Sequence, residues 1–179
     1  MNASLTVSIM DSYQGSQQRL TLPAADGSAP RQITVTIPKG IQAGQHLRLA
    51  GQGMPGPNGG AAGDLLIAIA FSAHPYYHAE GKHVHLALPV APWEAALGAK
   101  VSVPTPTGTI TLTIPKHAAQ GKKLRLKGKG LPAAEPGDLF VTLNIVLPEA
   151  HDETVVAAYD AFQQATDFDP RHHLFKEAL

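Results

Sequence analysis

The chain has 179 residues, of which 44% are hydrophobic and 16% charged; that is enough apolar material for a packed core and argues against disorder, in a length that suits one ordinary domain or two small ones. Lys plus Arg and Asp plus Glu both number 14, so net charge supplies no general attraction to nucleic acid or to an anionic membrane. Cysteine is absent, which excludes disulfides and any thiolate zinc site.

Along the chain, apolar residues first alternate at period 2. Leu5, Val7 and Ile9 alternate with Ser4, Thr6 and Ser8, then Leu20 and Leu22 with Arg19 and Thr21, then Ile33, Val35 and Ile37 with Thr34 and Thr36. This is half-buried strand patterning rich in β-branched residues. Residues 84–88, 101–103, 110–114 and 139–147 continue it. Gly and Pro punctuate the turns at Asp26-Gly27, Pro38-Lys39-Gly40, Pro106-Thr107-Gly108 and Pro115, and together they number 32, a turn-rich all-β count. Residues 8–15 and 90–98 each predict a strand end, one helical turn opening near an acidic residue, and a stop at Gly. Pro148 ends the last strand. Asp152 then caps a helix over Glu153–Ala165, whose Val155, Tyr159 and Phe162 fall at i, i+4 and i+7 on one apolar stripe. Residues 167–179 read as a tail.

The chain also repeats itself. Residues 34–55, TVTIPKGIQAGQHLRLAGQGMP, and residues 111–132, TLTIPKHAAQGKKLRLKGKGLP, are identical at 12 of 22 positions. Each copy leads into a Gly-Asp-Leu, at 63–65 and 137–139, and an apolar run. The period exceeds a solenoid repeat and implies a duplicated small domain. The expected fold class is mainly β: two tandem homologous small domains, sandwich- or barrel-like, each with a one-turn helix, plus a C-terminal dimerisation helix. The expected divisions are 1–73, 74–148 and 149–179, with 72–82 as the junction. No apolar stretch is long enough to span a bilayer. Residues 1–20, broken by Asp11, Gln14, Gln17, Gln18 and Arg19, do not read as a signal peptide. The expected location is the cytoplasm, with the nucleoid as the alternative if DNA is a ligand.

These motifs, Ile37-Pro38-Lys39-Gly40 through Gly51-Gln52-Gly53 with its copy at 114–130, His74-Pro75, Trp93-Glu94-Ala95-Ala96-Leu97-Gly98 and the two Gly-Asp-Leu junctions, occur in the order found in DnaJ-type co-chaperones. The chain resembles their C-terminal client-binding and dimerisation region over nearly its whole length. The lack of a cysteine-rich module, with Phe168-Asp169-Pro170-Arg171 in the tail, makes it most similar to zinc-free bacterial members. The family's J domain is outside this sequence; His74-Pro75-Tyr76 lacks the Asp of its His-Pro-Asp loop. The expectation is therefore a fragment of a longer protein that by itself does not stimulate a DnaK-type ATPase.

The resemblance implies capture of unfolded polypeptide clients for a DnaK-type chaperone, in a shallow groove between two strands of the first β-domain. The matching positions are Ala3 and Leu5 on the first strand and Gln18, Leu20 and Leu22 on the second. Strand addition would give sequence tolerance through the backbone and apolar preference through the side chains; the competing reading is that these leucines are ordinary core. If they form a groove, Leu20→Ser with Leu22→Ser keeps the fold and loses the client. The resemblance also implies a V-shaped homodimer through Val155, Tyr159 and Phe162, against the alternative that this stripe packs on the chain's own second β-domain. Two grooves per dimer would strengthen capture.

A third feature is basic. Read as one strand over 122–130, Lys123, Arg125, Lys127 and Lys129 share a face opposite Leu124 and Leu126. Such a row suits DNA phosphates. A solvated edge guarded against pairing is the commoner explanation, and the acidic C-terminal tail of a DnaK-type chaperone is another partner the resemblance suggests. DNA binding is thus the alternative function. Gly51-Gln52-Gly53-Met54-Pro55-Gly56 matches a dinucleotide fingerprint, but Pro55 and Pro57 forbid the helix that must follow. Nine histidines without Cys or clustered carboxylates do not specify a metal site. No nucleophile elbow or paired-carboxylate spacing appears, so no catalytic residue, cofactor or enzyme activity is expected. Trp93 reads as a core anchor of the second domain.

Overall fold

The alternating segments are strands in a computed structural model, which describes residues 1–23, 29–56 and 60–177, the last three by backbone only. The turn expected at Asp26-Gly27, and Pro57, lie outside the described residues. The fold is mainly β, in several small sheets with no closed barrel and with few, mostly short helices.

In the first half, β1 (Asn2–Val7), β5 (Leu65–Phe71) and β4 (His46–Leu49) form a sheet in that order. β2 (Ser16–Leu22) and β3 (Arg31–Ile37) form a separate antiparallel pair. The inward residues of both sheets, among them Leu5, Val7, Leu22, Val35, Ile37 and Ile67, make one core, as the two-residue period requires. The second half repeats this: β7 (His83–Val90), β11 (Leu139–Ile145) and β10 (Lys123–Leu126) form a sheet, beside the pair β8 (Ala99–Thr105) and β9 (Gly108–Ile114). Its core holds Val84, Val103, Ile114, Leu139 and Val141. The second half adds β6 (Tyr77–Glu80), antiparallel to β7. The sequence reading took this stretch for a junction, because four residues with His and Glu at alternate positions carry little apolar signal.

Each half contains one short helix, α1 (Ile9–Gln14) and α2 (Pro92–Leu97). Both open with a backbone N–H bound by a carboxylate three residues on: Ser8 N donates to Asp11 Oδ2 at 2.9 Å and Ala91 N to Glu94 Oε2 at 2.8 Å. α1 sits in the first repeat, yet its Ile9 and Tyr13 are buried in the core of the second half. Ser12 Oγ, fully buried, donates to Ile41 O at 2.7 Å. Gly40 then passes so close to Pro132 that a Cβ there would strike the Pro132 carbonyl. Both Gly40 and its repeat counterpart His117 have positive φ, 78° and 57°. Only at Gly40 does the approach of another backbone forbid any side chain. Residues 1–145 thus form one unit.

Residues 146–179 are a second unit. Its helix α3 (Glu153–Ala165) runs over the expected residues and is capped as expected, with Val155 N donating to Asp152 Oδ1 at 2.9 Å. No residue of α3 is buried. The tail contains one further short helix, α4 (His172–Glu177).

Candidate functional site

The two halves have one telling difference. β5 and β11 are equivalent, 74 residues apart; β5 pairs in parallel with β1 (Ala3↔Ile67) and β11 with β7 (Leu86↔Val141). β1 and β7 therefore hold the same place in their sheets. On its other side β7 is paired by β6, with Tyr77 opposite Leu86. Among the described residues β1 has no strand there and is the edge of its sheet. Among the described residues β2 pairs with β3 alone, which leaves its second edge open as well. Open edges present unpaired N–H and C=O groups that accept another strand.

Along these edges the five expected groove residues divide into two kinds. Leu22 is 2% exposed and Leu5 8%, both in the core. Ala3 and Leu20 are half-buried and pack against that core from outside. Gln18 is half-buried, and its Nε2 donates to Asp11 Oδ2 at 3.1 Å. Leu5 and Leu22 are thus part of the core, and Ala3, Gln18 and Leu20 are its partly exposed rim. Serine at Leu22 would be a core lesion, so the expectation that Leu20→Ser with Leu22→Ser keeps the fold is corrected here. At the other flank an open cleft of about 460 Å³ is lined by Ile33, Thr34, Arg48, Leu49, Ala50 and Gln52. Ile33 lies opposite Leu20 across the β2–β3 pair. No sequence motif marks this cleft, because it forms only where β3 of one sheet approaches β4 and its following turn in the other.

The basic row is not one strand face. β10 ends at Leu126; Lys127 lies in the following turn with Gly128 (φ 72°), and Lys129 comes after it. Arg125 is not free: its Nη2 and Nε approach Asp138 Oδ2 at 2.6 and 2.7 Å, and Gly128 N donates to Asp138 Oδ1 at 2.9 Å. The first half repeats the clamp with Arg48, Asp64 and Gly51. The Gly128 N–H holds the Asp138 carboxyl below the usual carboxylate range; burial opposes this, and Arg125 reinforces it. Lys123, Lys127 and Lys129 are exposed, while the Lys129 backbone carbonyl accepts from the Tyr13 hydroxyl at 2.9 Å. The shared Gly-Asp-Leu was the sequence signal for these clamps.

In the second unit, Val155 and Tyr159 are half-buried and Phe162 is 68% exposed. Tyr159 is anchored locally, its hydroxyl donating to Pro148 O at 2.7 Å. Trp93, expected in the core, is 59% exposed. α2 buries Ala95 instead; at 100° per residue, Trp93 and Leu97 each lie two residues from Ala95 and so point away from the core. Among the described residues no helix is long and apolar enough to cross a membrane.

Residues 1–148 match the family described as DnaJ C terminal domain. A protein of Coxiella burnetii (strain RSA 493 / Nine Mile phase I) called "Curved DNA-binding protein" is 44% identical over 181 residues, covering 97% of this chain and 58% of that protein. Proteins of the same name are 46% identical in Escherichia coli (strain K12 / DH10B) and 47% in Salmonella arizonae. Each of those matches runs over 144 residues, 79% of this chain and 47% of the relative. The chain spans about half the length of the curated relatives it matches.

Proposed function

Because this chain belongs to the DnaJ C terminal domain family, we propose that it holds unfolded polypeptide segments by strand addition and presents them to a DnaK-type chaperone. The observation that carries this reading is the open edge of β1 where its counterpart β7 is covered by β6. The second half already contains, in β6, the kind of strand a client would supply to the first. A client beside β1 or β2 would gain backbone hydrogen bonds and lay alternate apolar side chains against Ala3 and Leu20, above Leu5 and Leu22. Capture is hydrophobic and non-covalent, and no residue is assigned a catalytic role. In this reading residues 1–73 are the client-binding domain and 74–148 the second β-domain, while 149–179 join two chains through Val155, Tyr159 and Phe162. Two grooves per dimer then act on one client.

A labelled apolar peptide with alternate backbone amides N-methylated separates strand addition from plain hydrophobic contact. The unmethylated peptide binds, and the peptide methylated along its pairing edge binds at least about tenfold more weakly, the loss of one to two backbone hydrogen bonds. Equal binding of the two overturns the reading.

The second reading is DNA binding, supported by the printed name of the relatives and by exposed Lys123, Lys127 and Lys129. Arg125 contributes less, being held by Asp138. Salt separates the two readings: phosphate contacts weaken steeply as salt rises, and apolar capture does not.

A further inference from the structure

The outer face of the sheet β10-β11-β7-β6 is lined with imidazoles. The register aligns Arg125, Phe140, His85 and His78 in one row across all four strands. The rings touch in sequence: His85 stacks on Phe140 with centroids 5.4 Å apart, and His78 follows at 6.4 Å from His85. His83 meets the other side of Phe140 at 5.6 Å. Three spacings between neighbouring strands make the row about 14 Å long, comparable with the roughly 12 Å width of a DNA major groove.

The charges on this face balance at neutral pH. Lys123 and Arg125 on β10 are offset by Asp138, immediately before β11, and Glu80 on β6. Lys82 and Glu135 at the margin neutralise each other, 3.5 Å apart. His83 accepts the Asp138 N–H at Nδ1, 3.0 Å away, so that nitrogen is already engaged within the fold. Among the described residues His78 makes no such bond, and His85 Nε2 lies 3.3 Å from Glu80 Oε2. Imidazoles change charge between about pH 5 and 8. Protonation of His78 and His85 therefore turns a face of zero net charge into one of net charge +2, with the Phe140 ring stacked on His85 attracting that cation through its π-face.

We propose that this face is a DNA phosphate-backbone contact that engages when His78 and His85 are protonated. It rests on the DNA-binding reading above and adds a pH control located away from Lys127 and Lys129. The charge gained is complementary to the regularly spaced, dense phosphates of a DNA duplex.

The test is fluorescence anisotropy of a labelled duplex of about 20 base pairs, at constant ionic strength, near pH 8 and near pH 5.5, with the full chain and with His78→Gln/His85→Gln. The full chain is expected to tighten at least about tenfold on acidification, with a log–log salt slope steeper by nearly two, at about 0.9 per phosphate. The variant, matched for thermal unfolding midpoint, is expected to lose most of both changes. Equal tightening in the variant overturns the proposal while leaving DNA binding in place, because the remaining histidines then carry the effect. Binding at pH 8 without pH dependence also overturns the proposal alone. No binding at either pH overturns it together with the reading beneath it. Tight binding of poly-glutamate at pH 5.5 in place of DNA overturns the choice of partner.

Discussion

Tyr13 donates its hydroxyl to the backbone carbonyl of Lys129 at 2.9 Å, joining the helix of the first repeat to the turn after β10 in the second. The ring is 6% exposed and belongs to the second core. Burial pushes the hydroxyl's pKa well up, with nearby Tyr77 adding to the effect. The neutral phenol is therefore the folded form. Its stabilisation is complete below the unfolded tyrosine value of about 10 and is lost as pH rises past it. Tyr13→Phe is expected to cost about 1 kcal/mol at neutral pH and to flatten the alkaline loss of stability. Chemical denaturation of both proteins near pH 7 and near pH 10.5 checks it.

Leu22 and Leu20 sit two residues apart on β2 and should fail differently. Leu22, 2% exposed, is core, and Leu22→Ala is expected to cost about 2–5 kcal/mol. Leu20 is half-buried on the rim, and Leu20→Ser is expected to cost less than about 1.5 kcal/mol. Urea midpoints with unchanged slopes measure both.

Much of this was legible in the chain itself. The alternation at residues 33–37 and 110–114 marked β3 and β9, because both bury one face. Asp152 marked the start of α3 because an unsatisfied helix N-terminus favours a side-chain acceptor there. The repeat marked the duplicated β architecture. What failed were readings that depend on partners distant in sequence. Trp93 looks like core by composition, yet a six-residue helix buries one face, and Ala95 occupies it. Lys123 to Lys129 look like one strand, but Gly128 turns the chain and Asp138 holds Arg125. At the candidate site, the strand positions of Ala3, Leu20 and Leu22 were readable from period 2. The division between rim and core was not, since it depends on the second sheet beneath them. That β6 pairs with β7 while, among the described residues, no strand pairs with the outer edge of β1 is a property of sheet order.

The Asp138 clamp makes an acid-range prediction. Its carboxyl is held below the usual range, first by the Gly128 N–H and then by Arg125. A lowered folded pKa gives stabilisation that is present above the unfolded value of about 3.9 and is lost as pH falls through the folded one. The advantage of the wild type over Asp138→Asn is expected to be full near pH 6 and to shrink below about pH 4. Thermal midpoints across that range decide it.

Helix α3 leaves Phe162 68% exposed and buries no residue, an apolar stripe that a second copy would cover. In the proposed dimer, Phe162→Ala with Val155→Ala weakens self-association at least about tenfold, since two large apolar groups per chain leave the interface. Removal of residues 149–179 gives monomers. Sedimentation equilibrium reads both, and a truncated chain that stays dimeric refutes the assignment.

The central claim is that the open edge beside β1 and β2 captures unfolded chain. Suppression of aggregation of a chemically unfolded client tests it most directly, with the wild type and Leu20→Ser compared at equal folded content. The account predicts that the wild type suppresses aggregation in a salt-insensitive way and that Leu20→Ser largely loses the effect. Undiminished suppression by Leu20→Ser, or none by the wild type, would contradict it.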